Sequence, residues 1–170
     1  IGAVLVGQGT TLTADGERLP GAQALAAAGL APARLGPKDA LALVGANSGS
    51  IGLACLASRS LDTLVLAADL VAAMTVEALG ASLAPFNEIV AEARPLPGQV
   101  ASAAAIREAV GGGDLAQGLI APASLQDALS IRTVPQVHGV LHQAAADLRE
   151  ILTVELNSPT DNPLVDVAAG

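Results

Sequence analysis

The polar groups of this chain gather near its C-terminal end. Residues 126–136 read Gln-Asp-Ala-Leu-Ser-Ile-Arg-Thr-Val-Pro-Gln, and after a helix-length spacer residues 157–164 read Asn-Ser-Pro-Thr-Asp-Asn-Pro-Leu. Gln126 offers a donor and an acceptor, and Arg132 carries a planar fork that grips a carboxylate through two parallel hydrogen bonds. The plainer alternatives are a loop-end glutamine and a surface or helix-capping arginine. His138 and His142 lie four apart, so on a helix they share a face, and this is also a metal-ligand spacing. No HExxH motif or cysteine cluster accompanies them, so a polar stripe or interface face is expected rather than a metal site. Cys55, among Leu53, Ala54, Leu56 and Ala57, reads as a small buried hydrophobe and not a nucleophile. Gly7-Gln8-Gly9 lacks the third glycine of a dinucleotide loop. Asp161-Asn162-Pro163 reads as a turn, because Asx side chains bond their own backbone.

The elements that must position these groups are mostly helices. Ile1 to Val6 ends a helix or begins a strand. Asp15-Gly16, between Thr10–Thr13 and Glu17–Leu19, predicts a hairpin over residues 10–19. Pro20 to Ala28 is a short helix closed by Gly29. Pro37 opens another through about Leu43, interrupted by Gly45-Ala46-Asn47-Ser48-Gly49-Ser50. Ile51 to Leu79 is helical, as one helix or as two meeting near Arg59-Ser60. Pro97 to Val110 is a helix ended by Gly111-Gly112-Gly113, with a loop over 111–121. Thr133 to Leu156 is a long final helix with Pro135 in its first turn. The expectation is an all-α, long-helix bundle with one small hairpin, residues 1–170 forming a single region.

Composition narrows the function classes. Hydrophobic residues make up 52% of the chain but aromatics only 1%, so the core is built from small and branched aliphatics. Mean hydropathy is +0.56, yet Asp62, Asp69 and Glu77 punctuate the most apolar stretch, Leu61 to Leu79, and no membrane span is expected. Helices apolar almost all round need neighbours on several faces, which favours oligomerisation. A net charge of −8 argues against nucleic acid. The lone Cys55 and the lack of a signal peptide lead to the expectation of a cytoplasmic protein. A chain opening on Ile1 is read as a piece of a longer protein.

Further stretches join the C-terminal ones: Gly21-Ala22-Gln23-Ala24-Leu25, Gly29-Leu30, Pro37-Lys38-Asp39-Ala40-Leu41-Ala42-Leu43 and Arg94-Pro95-Leu96-Pro97-Gly98-Gln99. In order and spacing the chain resembles the histidine and phenylalanine ammonia-lyases over nearly its whole length. These enzymes use a methylideneimidazolone (MIO) electrophile built from their own backbone. Their corresponding segments read Gln-Asp-x-Tyr-Ser-Leu-Arg-x-x-Pro-Gln, Asn-Ser-x-x-Asp-Asn-Pro-Leu and Arg-Pro-His-Pro-Gly-Gln.

The resemblance implies the central region of a lyase that removes ammonia from His, Phe or Tyr to give an α,β-unsaturated acid. Arg132 would hold the substrate carboxylate, Gln126 and Asn47 would line the electrophile site, and the assembly would be a homotetramer. Three departures stand out. Leu129 replaces the family tyrosine and Leu96 the family histidine. Gly45 occupies the place, counted from Lys38, of an asparagine that contacts the electrophile. Asn47 lies two residues on, a rotation of about 200° on a regular helix, so it takes that role only if the glycine-rich break reorients the backbone. Ala-Ser-Gly, which forms MIO, does not occur in the sequence, so the segment alone is expected to be inactive. Other readings are an MIO aminomutase, a helical oligomerisation protein descended from a lyase, favoured by Leu129, Gly45 and Leu96, and a helical small-molecule-binding domain.

Overall fold

The computed structural model describes residues 1–159, 163–166 and 168. Asp161 and Asn162, expected in a turn, lie outside the described residues. The chain divides into two compact units, residues 1–50 with 157–170, and residues 51–156.

In the first unit, Gly2–Leu5 forms a short helix (α1). Strands β1 (Thr10–Leu12) and β2 (Arg18–Pro20) pair antiparallel, Thr11 opposite Leu19. The turn is held from within: Thr13 Oγ1 accepts from the Glu17 amide at 3.1 Å, and Gly16 supplies a φ of +82°. Helix α2 (Gly21–Ala27) follows. It stops where Leu30 N–H returns to Leu25 carbonyl at 2.9 Å, with Gly29 at φ +71°, the glycine-closed helix end expected there. Helix α3 (Asp39–Gly45) starts two residues later than its proline suggests. Lys38 adopts a left-handed φ of 71° at its N-cap, and Asp39 reaches back to the Gly36 amide at 2.7 Å.

Helix α4 (Ser48–Leu79) lies in the second unit from Ile51 onward. It runs unbroken, so the break considered near Arg59-Ser60 does not occur. Ser60, Thr63 and Thr75 return their hydroxyls to the carbonyls four residues back, at 3.2, 3.3 and 2.7 Å. Their polar groups are satisfied without leaving the helix. Its buried stripe is Ser58, Val65, Asp69, Ala73 and Val76, at helical spacing on one face. A 3-10 turn (Ala84–Phe86) and helix α5 (Glu88–Ala93) follow, then α6 (Pro97–Val110), α7 (Leu129–Arg132) and α8 (Val134–Leu156). Residues 111–121 contain neither helix nor strand.

The core of this unit gathers Val76, Phe86, Ile106, Val110 and Val134. Phe86, the single aromatic of the chain, is fully buried with Ile106 and Val76. Helices α6 and α8 approach closely because both present glycine at the crossing. A Cβ on Gly98 would stand 2.0 Å from the Gly139 carbonyl oxygen, and one on Gly139 would stand 2.7 Å from the Gln99 amide nitrogen. Among the described residues no single helix is long and apolar enough to cross a membrane.

Candidate functional site

Gln126 and Arg132 belong to one loop-and-helix segment, and the turn that ends α4 holds that segment in place. Gly80 carbonyl accepts from Ala123 N–H at 2.8 Å, and Ser82 N–H donates to Asp127 Oδ2 at 2.8 Å. Between these clamps Ser124 Oγ donates to the Gln126 carbonyl at 3.0 Å and accepts from its amide at 3.2 Å. The Gln126 backbone is thereby tethered while its side chain stays exposed. Its carboxamide takes no partner among the described residues.

Arg132 closes α7 and is half-buried. Its Nε–H donates to the Asp127 carbonyl at 2.9 Å, which orients the guanidinium and leaves the two terminal nitrogens for another acceptor. Leu129, at the first position of α7, is 63% exposed. It offers no polar group where the resemblance calls for a hydroxyl. Asn47, in the first unit, is exposed in the two-residue break between α3 and α4. The backbone leaves helical geometry at Ala46, with φ −70° and ψ 141°, so the rotation expected on a regular helix does not apply to Asn47. The structure therefore groups Gln126 with Arg132, while Asn47 stands in the first unit.

A second polar cluster sits inside the larger unit. Asp69, only 2% exposed, accepts from Ser102 Oγ at 2.8 Å. Its Oδ1 also faces His138 Nδ1 at 2.8 Å, and its Oδ2 faces His142 Nε2 at 2.6 Å. Both imidazoles donate to an ionised carboxylate when His138 carries its proton on Nδ1 and His142 on Nε2. One buried carboxylate on α4 is thus bonded to α6 once and to α8 twice. The histidine pair was visible in the sequence as a shared helical face, but its partner was not, because Asp69 lies 69 and 73 residues away. One nitrogen of each ring bonds Asp69, so the shared face of the pair is turned at least in part to a buried carboxylate. Among the described residues no group of three His, Cys, Asp or Glu side chains is disposed to hold a metal.

The Arg-Pro-Leu-Pro-Gly-Gln segment borders a cleft of about 560 Å³ between the start of α6 and α8, lined in part by Arg94, Leu96, Gln99, Gln136 and Asp147. Gln126, Arg132 and Asn47 do not line it. Cys55 is partly buried on α4.

The sequence profile of a family described as aromatic amino acid lyase matches residues 1–170. Histidine ammonia-lyase of Sorangium cellulosum is 42% identical over 166 residues, 98% of this chain and 32% of that protein. The chain spans about a third of the length of such relatives. Among solved structures, histidine ammonia-lyase from Trypanosoma cruzi superposes with a TM-score of 0.78 at 31% identity, over 97% of this chain and 30% of that one. Tyrosine aminomutase from Streptomyces globisporus superposes with a TM-score of 0.74 at 32% identity, over 98% and 35%.

Proposed function

Because the chain belongs to the aromatic amino acid lyase family, we propose that it forms the central region of an ammonia-lyase acting on His, Phe or Tyr. The single observation that carries this reading is Arg132, oriented by the Asp127 carbonyl beside the tethered Gln126 loop. Eliminating ammonia breaks a Cα–N bond and a Cβ–H bond, and the substrate carboxylate must be held while this happens. A guanidinium supplies that grip and remains charged at any working pH.

An MIO group, when bound, supplies an electrophile toward the substrate amino group. Gln126 fits such a group: its carboxamide is exposed and takes no partner among the described residues, leaving its N–H groups able to donate to a carbonyl oxygen. We also propose Asn47, which follows the helix break at Ala46, as an amide that lines an electrophile in the assembled protein. Neither a guanidinium nor an amide is a base at neutral pH, so these residues bind and orient, and the proton acceptor for the β-hydrogen comes from the rest of the protein. The segment alone is expected to be inactive.

We assign the whole protein to a homotetramer in the cytoplasm. The support for assembly is the outer face of α4, where Leu53, Leu56, Leu64 and Met74 are all more than half exposed. The test is the absorbance of urocanate or cinnamate formed from L-histidine or L-phenylalanine by the full-length protein. Formation of a β-amino acid would instead identify an aminomutase, the activity named for the Streptomyces relative. A folded, oligomeric protein that yields neither product would support the second reading, a non-catalytic helical assembly protein. The exposed and chemically inert Leu129 favours that reading.

A further inference from the structure

Asp127 touches both halves of the candidate site. Its carboxylate accepts from Ser82 N–H at 2.8 Å, and its backbone carbonyl accepts from Arg132 Nε at 2.9 Å. We propose that Asp127 is a positioning residue that fixes the Gln126 loop to the end of α4 and turns Arg132 so that only its Nη1–Nη2 edge is offered to a substrate carboxylate. The inference rests on the lyase reading and adds to it a second residue and a binding mode.

A guanidinium has two edges that can present a pair of N–H groups to a carboxylate, one of them including Nε. At Arg132 the Nε–H is already donated, and it is the only nitrogen of that side chain with a hydrogen-bond partner among the described residues. The end-on pair is what remains. The carbonyl that makes this choice is held in turn by the side chain of the same residue. An ionised acceptor on a backbone N–H is a strong anchor, and it ties the loop to a segment 45 residues earlier. The second clamp, Ala123 to Gly80, lies on the other side of Gln126, so the loop is fastened on both sides. Loosening the Asp127 carboxylate frees the carbonyl, and with it the angle at which Arg132 meets an acid.

The test uses the full-length protein carrying Asp127→Ala, Asp127→Ser and Asp127→Asn, each with Arg132 intact and with Arg132→Lys. KM and kcat are measured with L-histidine and L-phenylalanine, and the affinities of urocanate and cinnamate by titration calorimetry. Asp127→Ala is expected to raise KM and the acid Kd about tenfold, the loss from one misaligned charge-assisted hydrogen bond, with kcat changed less than about threefold. Asp127→Ser, too short to reach the Ser82 amide, carries the same expectation and serves if the alanine variant does not fold. Asp127→Asn keeps an acceptor and is expected to restore most of the affinity. In the Arg132→Lys background, removing the Asp127 carboxylate is expected to add no further loss.

Unchanged KM and acid affinity in Asp127→Ala and Asp127→Ser would overturn the proposal. So would an equal loss whether Arg132 is intact or replaced by lysine, since that is what a merely structural residue produces. A wild-type protein that forms no product yet binds cinnamate in an Asp127-dependent way overturns the lyase reading and upholds the positioning role. One that binds neither acid overturns both.

Discussion

Asp69 Oδ2 and His142 Nε2 meet at 2.6 Å although 73 residues separate them. The contact joins α4 to α8 in a unit whose other fastenings are mostly aliphatic. Because Ser102 and His138 bond the other oxygen, this buried carboxylate takes three hydrogen bonds, and its loss removes a partner from three polar groups at once.

Replacing Asp69 by Ala is therefore expected to cost about 3 kcal/mol or more, since removing one member of a buried polar network orphans the others. Thermal or urea unfolding of the full-length protein measures it. A change under about 0.5 kcal/mol, the range of ordinary surface substitutions, would show that water or relaxation replaces the lost partner.

The crossing of α6 and α8 leads to a second expectation. Gly98→Ala places a methyl group 2.0 Å from a carbonyl oxygen, and Gly139→Ala places one 2.7 Å from a backbone nitrogen. Neither neighbour is a flexible side-chain end, so the helices must separate. Each variant should lose about 2 kcal/mol or more, near the upper end of overpacking penalties, with Gly98→Ala the worse of the two. Circular dichroism melts would rank them, and equal stability to wild type would argue against so close a crossing.

Arg132→Lys keeps the charge but loses both the fork and the planar Nε–H donated to Asp127. We expect kcat/KM of the full-length enzyme to fall about 100-fold, mostly through KM, because a point charge cannot grip a carboxylate bidentately. Steady-state kinetics measure this directly. A fall confined to kcat would mean that Arg132 acts in the transition state and not in substrate binding.

Leu129→Tyr tests the departure from the family pattern. The side chain is 63% exposed, so the larger ring should fit with stability changed by less than about 0.5 kcal/mol. Turnover of an aromatic amino acid should rise if the missing hydroxyl limits the wild-type protein. An unaltered rate in a well-folded variant would show that Leu129 does not limit it.

The helical architecture was legible from local chemistry. Pro97 and the glycine run at 111–113 bracket α6, Asp15-Gly16 marks the turn of the hairpin, and Gly29 closes α2. In each case a proline or glycine restricts or frees the backbone of its own residue, so neighbours in sequence suffice to read it. The short helices α5 and α7, of six and four residues, escaped because so few residues carry no period. The unbroken course of α4 also went undecided, since Arg59 and Ser60 interrupt its apolar pattern without breaking its backbone.

Residue types and spacing alone determined that the chain is helical, that Gln126 and Arg132 lie six positions apart, and which family their surroundings resemble. Only the tertiary structure decided what holds them. Asp127 meets Ser82 from 45 residues away, and the two histidines, a shared helical face in the sequence, meet Asp69 of α4. Hydrogen bonds between distant segments follow from how the apolar faces of the helices pack, and that packing is set by many side chains together. No spacing along the chain encodes it.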